Sequence, residues 1–146
     1  MPNFLSIVDF VSRARHVFEQ HGALFSYARF PAGSCGPASE ILGRCIEEQF
    51  SVLPELVEGT GRPDRQDVSH AWLAFDDLVV DVTHDQFEAS GLEPGRWVFA
   101  RPSKWHANFC FLSRRPLISK SELLANGFGE LYRLTTNCGR LSRCCK

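Results

Sequence analysis

Phe30-Pro31-Ala32-Gly33-Ser34-Cys35-Gly36-Pro37-Ala38-Ser39 sets a cysteine at the junction of a loop and a helix. Pro37 suits the first helical position, where a missing N–H removes no helical bond. The residue before a proline avoids the helical region, so Gly36 is the expected N-cap. Ala38, Ile41, Leu42, Cys45 and Ile46 then recur at helical spacing, which predicts a helix over 37–49. Cys35 therefore lies at the positive end of a helix dipole, a setting that favours thiolate over thiol.

A nucleophile of this kind needs a base. Ser69 to Thr83 reads as a strand, a two-residue turn at Asp76-Asp77 and a second strand. With that turn, Phe75 faces Leu78 and Trp72 faces Asp81. Side chains alternate along a strand, so His70, Trp72 and Asp81 share one face. His70 and Asp81 become diagonal neighbours within side-chain reach. Cysteine, histidine and aspartate then supply a nucleophile, a base and an orienting group. Asp85 is the competing acid if the turn lies elsewhere.

These pieces resemble the papain-like cysteine hydrolases, and within them the transglutaminase-like branch, which includes bacterial cysteine peptidases and arylamine N-acetyltransferases. Members show a cysteine opening a helix, then a His-Ala-Trp-like strand, then an aspartate on the adjacent strand. Cys35, His70-Ala71-Trp72 and Asp81-Val82-Thr83 match in type and order, over roughly residues 30–87. The resemblance implies an α+β fold with the nucleophile helix packed against a small antiparallel sheet. It implies a cysteine peptidase or amidase that works through a Cys35-His70-Asp81 triad and an acyl-enzyme, without cofactor or metal, on a peptide or protein substrate. An acyl or glutaminyl transferase uses the same triad, and an inactive peptide-binding module shares the same fold. Papain-like peptidases also carry an upstream oxyanion glutamine. Gln20 is the only glutamine before Cys35 and lies in a helical stretch, so it is not assigned that role. Gly36, Gln86 and Trp72 are the candidate oxyanion or substrate contacts.

Composition sets the frame. A chain of 146 residues with 44% apolar content and 12 Phe has enough material for one real core. The net charge of −1 and the scattered basic residues argue against a nucleic-acid partner. No apolar run reaches the roughly 18 residues of a membrane helix, and the start lacks a signal-peptide pattern. The expectation is a cytoplasmic protein with reduced thiols, no membrane partner and one domain over 1–136. Cys45 and Cys110, set among apolar neighbours, read as small core residues. Cys138, Cys144 and Cys145 fall in an expected flexible tail, 137–146. A zinc site from His70, His84 and cysteines is a weaker alternative, because the ligand spacings are irregular.

Along the rest of the chain, periodicity predicts an amphipathic helix over 5–20, with His16 and His21 as surface residues. An extended segment is expected over 24–30 and a strand over 50–58. Residues 59–67 read as a polar Gly/Pro loop, either a solvated connection or a lip beside the site. Trp97 to Ala100 reads as a strand, and Trp105 follows as a core residue or a cover over substrate. Ser119 caps a short helix over 120–125. Residues 131–134 read as a final strand.

Overall fold

A computed structural model describes residues 2–25, 30–87 and 90–144, without the side chains beyond 140. Its elements are α1 (Phe4–Gln20), α2 (Cys35–Phe50), β1 (Glu55–Arg62), β2 (Arg65–Phe75), β3 (Leu78–Val80), β4 (Val98–Ala100), α3 (Lys104–Ala107), β5 (Phe111–Pro116), α4 (Lys120–Ala125) and α5 (Gly129–Cys144). Short 3₁₀ turns lie at Gly22–Phe25 and His84–Gln86. The five strands form one antiparallel sheet in the order β4-β3-β2-β1-β5. The fold is α+β.

One sheet face carries the helices. Leu56, Ala71, Leu73, Phe75, Leu78 and Val80 point into a core closed by Ile7, Phe10 and Val11 of α1 and by Ile41, Leu42, Cys45 and Ile46 of α2. The helical periodicity around Cys45 is therefore a buried stripe, and Cys45 is 1% exposed. The other face carries Val57, Val68, Trp72, Ala74, Val79, Phe99 and Phe109, with Phe87, Leu92 and Trp105 packed against them.

The Asp76-Asp77 turn is where the sequence sets it. Phe75 pairs with Leu78 and Leu73 with Val80, and Asp76 takes a left-handed φ of 49°. The pairing ends at Val80. Asp81 is instead held on β4's side, its N–H donating to Trp97 O at 2.9 Å.

Several expectations are corrected. Residues 59–67 are not a loop. They complete β1, turn at 63–64 and begin β2, with Arg62 opposite Arg65. The glycines that suggested a loop have strand roles. A Cβ on Gly59 would lie 2.5 Å from Phe109 Cγ, so glycine lets that ring cross the strand. Gly61, at φ 73°, sits in a register irregularity between Thr60 and Arg62. The strand expected over 50–58 starts only after Pro54, because α2 runs to Phe50. Residues 131–134 are helical, and the same helix runs through 137 to Cys144, where a tail was expected. Cys145 and residues 26–29 of the expected extended segment lie outside the described residues. Cys110 is exposed, because it lies in the bend just before the edge strand β5, a strand the sequence pattern does not show. Among the described residues, no helix is long and apolar enough to cross a membrane.

Candidate active site

The first turn of α2 meets β2 where β3 has ended. Residues 70–72 of β2 have no partner on β3, and α2 covers that edge instead. Ser39 Oγ donates to Ala71 O at 3.5 Å, and the Cys35 sulfur takes a hydrogen bond from the Ala71 backbone. Cys35 is the first residue of α2, with Ser34 as N-cap in place of the expected Gly36. Ser34 makes no side-chain cap bond. The first-turn N–H groups of Cys35 and Gly36 therefore have neither a cap nor an intrahelical acceptor. Nothing within 4 Å would meet a Cβ on Gly36, so this turn faces open space.

His70 reaches Cys35 from the other face of the sheet. Its Nε2 lies 2.7 Å from Asp81 Oδ2, and both side chains are buried. That leaves Nδ1 for the thiol, with which His70 is hydrogen-bonded. Asp81 Oδ1 accepts from Thr83 N at 3.1 Å and Thr83 Oγ1 at 3.4 Å. The three residues singled out in the sequence thus form one hydrogen-bonded row.

The electrostatics of the row follow from burial and charge. Burial pushes the Cys35 thiol up, but the hydrogen bond and charge of His70 outweigh it and leave the thiol below its ordinary value. Burial pulls His70 down, but the charge and hydrogen bond of Asp81 raise it to about 9. Burial alone would raise Asp81. His70's charge and hydrogen bonds from His106 and His70 hold it well below the usual carboxylate range. The favoured state is thiolate beside imidazolium, with an ionised carboxylate behind.

Gln86 bridges the site. Gly33 N donates to its Oε1 at 3.4 Å, and its Nε2 lies 3.2 Å from His70 Nδ1. Gln86 also lines a hollow of about 440 Å³ with Arg62, Asp64, Arg65, Val68, Phe87 and Trp105. The tip of the β1–β2 hairpin is thus a lip beside the site, and Trp105 stands on the same hollow. Trp72 is 3% exposed and wedged between His106 and Phe109, at ring distances of 4.7 and 5.4 Å. It supports the site from behind and offers no surface to a substrate at Cys35.

Asp85, the competing acid, has another partner. It forms a two-pronged ion pair with Arg15 of α1 at 2.8 Å, and Arg15 also donates to Val82 O at 2.5 Å. The Arg15 guanidinium lies over Phe30 and Trp97, 4.6 and 4.4 Å from their centroids. This clamp fixes the 82–86 turn between Asp81 and Gln86.

His106 was missed. Its Nε2 lies 2.7 Å from the same Asp81 Oδ2, and its Nδ1 lies 2.5 Å from Ser103 Oγ. No local pattern marks it, since α3 is a single turn that the fold lays over the aromatic face. His70, Asp81 and His106 form the cluster of possible metal donors among the described residues. Tetrahedral zinc would set neighbouring donors about 3.3 Å apart. The 2.7 Å contacts are hydrogen-bond distances instead. His84, invoked for a zinc alternative, is elsewhere: its Nε2 meets Arg96 O at 2.6 Å, and Trp97 and Phe99 flank it.

No protein-family model matches the chain, and no curated protein or solved structure matches it.

Proposed function

We propose that this protein is a cysteine-dependent amide hydrolase of the papain-like, transglutaminase-like kind, acting on a peptide or a side-chain amide. The observation that carries the reading is the pairing of half-buried Cys35 with a buried His70 already held by Asp81. A structural cysteine needs no such partner, and burial alone would keep it a thiol, as it does at Cys45, pushed up to about 12.

In this reading the Cys35 thiolate adds to the amide carbonyl carbon, and negative charge moves to the oxygen. The free N–H groups of Cys35 and Gly36 stabilise that oxyanion. The tetrahedral adduct collapses as His70 gives its Nδ1 proton to the departing amine, leaving a thioester. His70 then takes a proton from water, whose oxygen attacks the thioester. The acid leaves and the thiolate–imidazolium pair returns. Asp81 holds the imidazole tautomer throughout. The hollow at Gln86, Arg62 and Arg65 supplies the substrate's bed, and its mixed charge suits an extended polar peptide.

The test uses a peptide acyloxymethyl ketone, which alkylates a cysteine only when the carbonyl is held in place. Mass spectrometry is expected to find the label on Cys35 and not on the more exposed Cys110. A peptide library read for cleavage products should lose every cut with Cys35→Ala. Label on Cys110 alone, or cleavage that survives Cys35→Ala in a folded protein, overturns the reading. Adding glycinamide separates the two acceptors: amide products in place of acids mark acyl transfer.

A further inference from the structure

We infer that His106, held by Ser103, is a positioning residue that fixes Asp81 for His70, an inference that rests on the nucleophilic role proposed for Cys35. The geometry gives Asp81 Oδ2 two imidazole donors at the same 2.7 Å distance. Asp81 is fully buried, so each of its lone pairs must find a partner or cost free energy. Thr83 serves Oδ1, and the two histidines serve Oδ2. Among the described residues, the hydrogen bonds to Oδ2 come from His70 and His106, so loss of His106 would leave it with His70 alone.

His106 has its tautomer set from both ends. Its Nε2–H donates to the carboxylate, so in the neutral ring Nδ1 accepts from the Ser103 hydroxyl. Ser103 is the N-cap of α3, yet its side chain makes no cap bond and serves the imidazole instead. The ring is packed by Trp72 at 4.7 Å and Trp105 at 4.9 Å, which fixes its plane.

The two histidines differ in charge. The groups that bear on His106 are Asp81, which favours its charged form, and His70 and His84, which oppose it; burial opposes it most, and its pKa is lowered. One carboxylate can offset one imidazolium, and His70 is the one it offsets. His106 is therefore the neutral donor, and a poor base for Ser103. It supplies the hydrogen bond that keeps Asp81 ionised and aimed, while His70 carries the proton. Loss of that bond would weaken the hold on the imidazolium and so raise the Cys35 thiol.

The experiment needs no substrate. Iodoacetamide alkylation of Cys35 in the full chain is followed by mass spectrometry across pH, beside a thermal melt of each variant. The unmodified protein should alkylate with a midpoint below the ordinary thiol value. His106→Phe keeps the ring and removes both hydrogen bonds; it should raise the midpoint by about one pH unit, a tenfold loss of thiolate well below it. His106→Gln restores a donor of similar reach and should bring the midpoint back. Ser103→Ala should move it in the same direction by less. It serves as the variant of record if His106→Phe fails to fold. The positioning role is overturned if the midpoint is low in the unmodified protein and unmoved in a folded His106→Phe or, failing that, Ser103→Ala. It is overturned also if His106→Gln behaves as His106→Phe does. An ordinary midpoint in the unmodified protein removes the thiolate pair itself, and the proposed function falls with it.

Discussion

On the helix-covered face of the sheet, Leu56, Leu73 and Val80 meet Ile41, Leu42 and Ile46, a dry aliphatic contact. On the other face, Trp72, Phe99, Phe109 and Trp105 close around two histidines and a carboxylate. The first is packed for volume, its branched side chains joined by the rings of Phe10, Phe18, Phe25 and Phe75. In the second, flat rings set the planes of imidazoles that must donate in fixed directions. One strand feeds both faces: Ala71 and Leu73 point into the first, His70 and Trp72 into the second. Cys35 and His70 approach from opposite faces and meet round the edge left by β3. The lesson is that shape on one face and direction on the other can be built by alternate residues of one strand.

The sharpest break of this comparison is Asp81→Asn. It keeps the volume but loses the charge that holds His70, so ketone labelling of Cys35 should fall by roughly 10³-fold or more. Asp76→Asn and Asp77→Asn, at the exposed turn, should label as the unmodified protein does. A crippled Asp77→Asn with an active Asp81→Asn would place the acid on the wrong element.

The next expected effect is on stability against pH. His70 is raised to about 9, so it stabilises the fold fully below its unfolded value of about 6.5, and that is lost as pH rises through 9. Cys35 is lowered, so its contribution is present above 9.0 and is lost as pH falls through its folded value. Between the two, folded and unfolded chains each hold one proton on this pair, and the slopes offset. Melting temperature should therefore be flat from about 7 to 8.5 as far as this pair decides it. Cys35→Ala should expose a fall over the same range. A parallel pH course in both proteins would mean that the pair is not ionised.

Arg15→Leu should cost roughly 1–3 kcal/mol in chemical denaturation, because it strands Val82 O and frees Asp85. Asp85→Asn should cost less, since Asp85 is partly exposed, and should leave the Cys35 alkylation midpoint in place. A large midpoint shift with unchanged stability would return Asp85 to the triad.

Two glycines sharpen the contrast of the faces at the smallest scale. Gly59→Ala drives a Cβ to 2.5 Å from the Phe109 ring and should cost roughly 1–3 kcal/mol. Gly43→Ala meets the end of Leu117, 2.6 Å from Cδ1, and that flexible side chain can turn aside. Better helix propensity offsets part of the strain, so a cost under about 1 kcal/mol is expected by denaturant titration. Equal costs would mean that both faces yield alike.

What the sequence made legible was local. The periodicity of Ala38 to Ile46, the Asp76-Asp77 turn and the alternation through His70 and Trp72 each depend on neighbours along the chain, and they bring Cys35, His70 and Asp81 together. The Ser119 cap and the 120–125 helix were legible for the same reason. What escaped depends on distant partners. Gly59 and Gly61 read as loop residues because Phe109, which crosses Gly59, lies fifty residues on. Leu131 to Leu134 read as a strand because the face that α5 turns to α1 and α2 is a tertiary matter. His106 carries no motif at all; it becomes visible only when α3 folds over Trp72.

The three residues of β3 act as a ruler. From the Asp76-Asp77 turn, they measure how far along β2 the chain travels before Asp81 is released towards β4. One residue more would swing the carboxylate through the sheet to the aliphatic side. Two would restore its face but carry it about 7 Å along the strand, from the level of Trp72 to that of His70, and so out of the diagonal in which the two now meet. The spacing between turn and acid is thus quantised by the pleat, and of these lengths the three-residue strand is the one that sets Asp81 diagonal to His70. In this protein the tolerance of the Cys35-His70-Asp81 row is written in whole residues of a short strand that the cysteine's own helix does not contain.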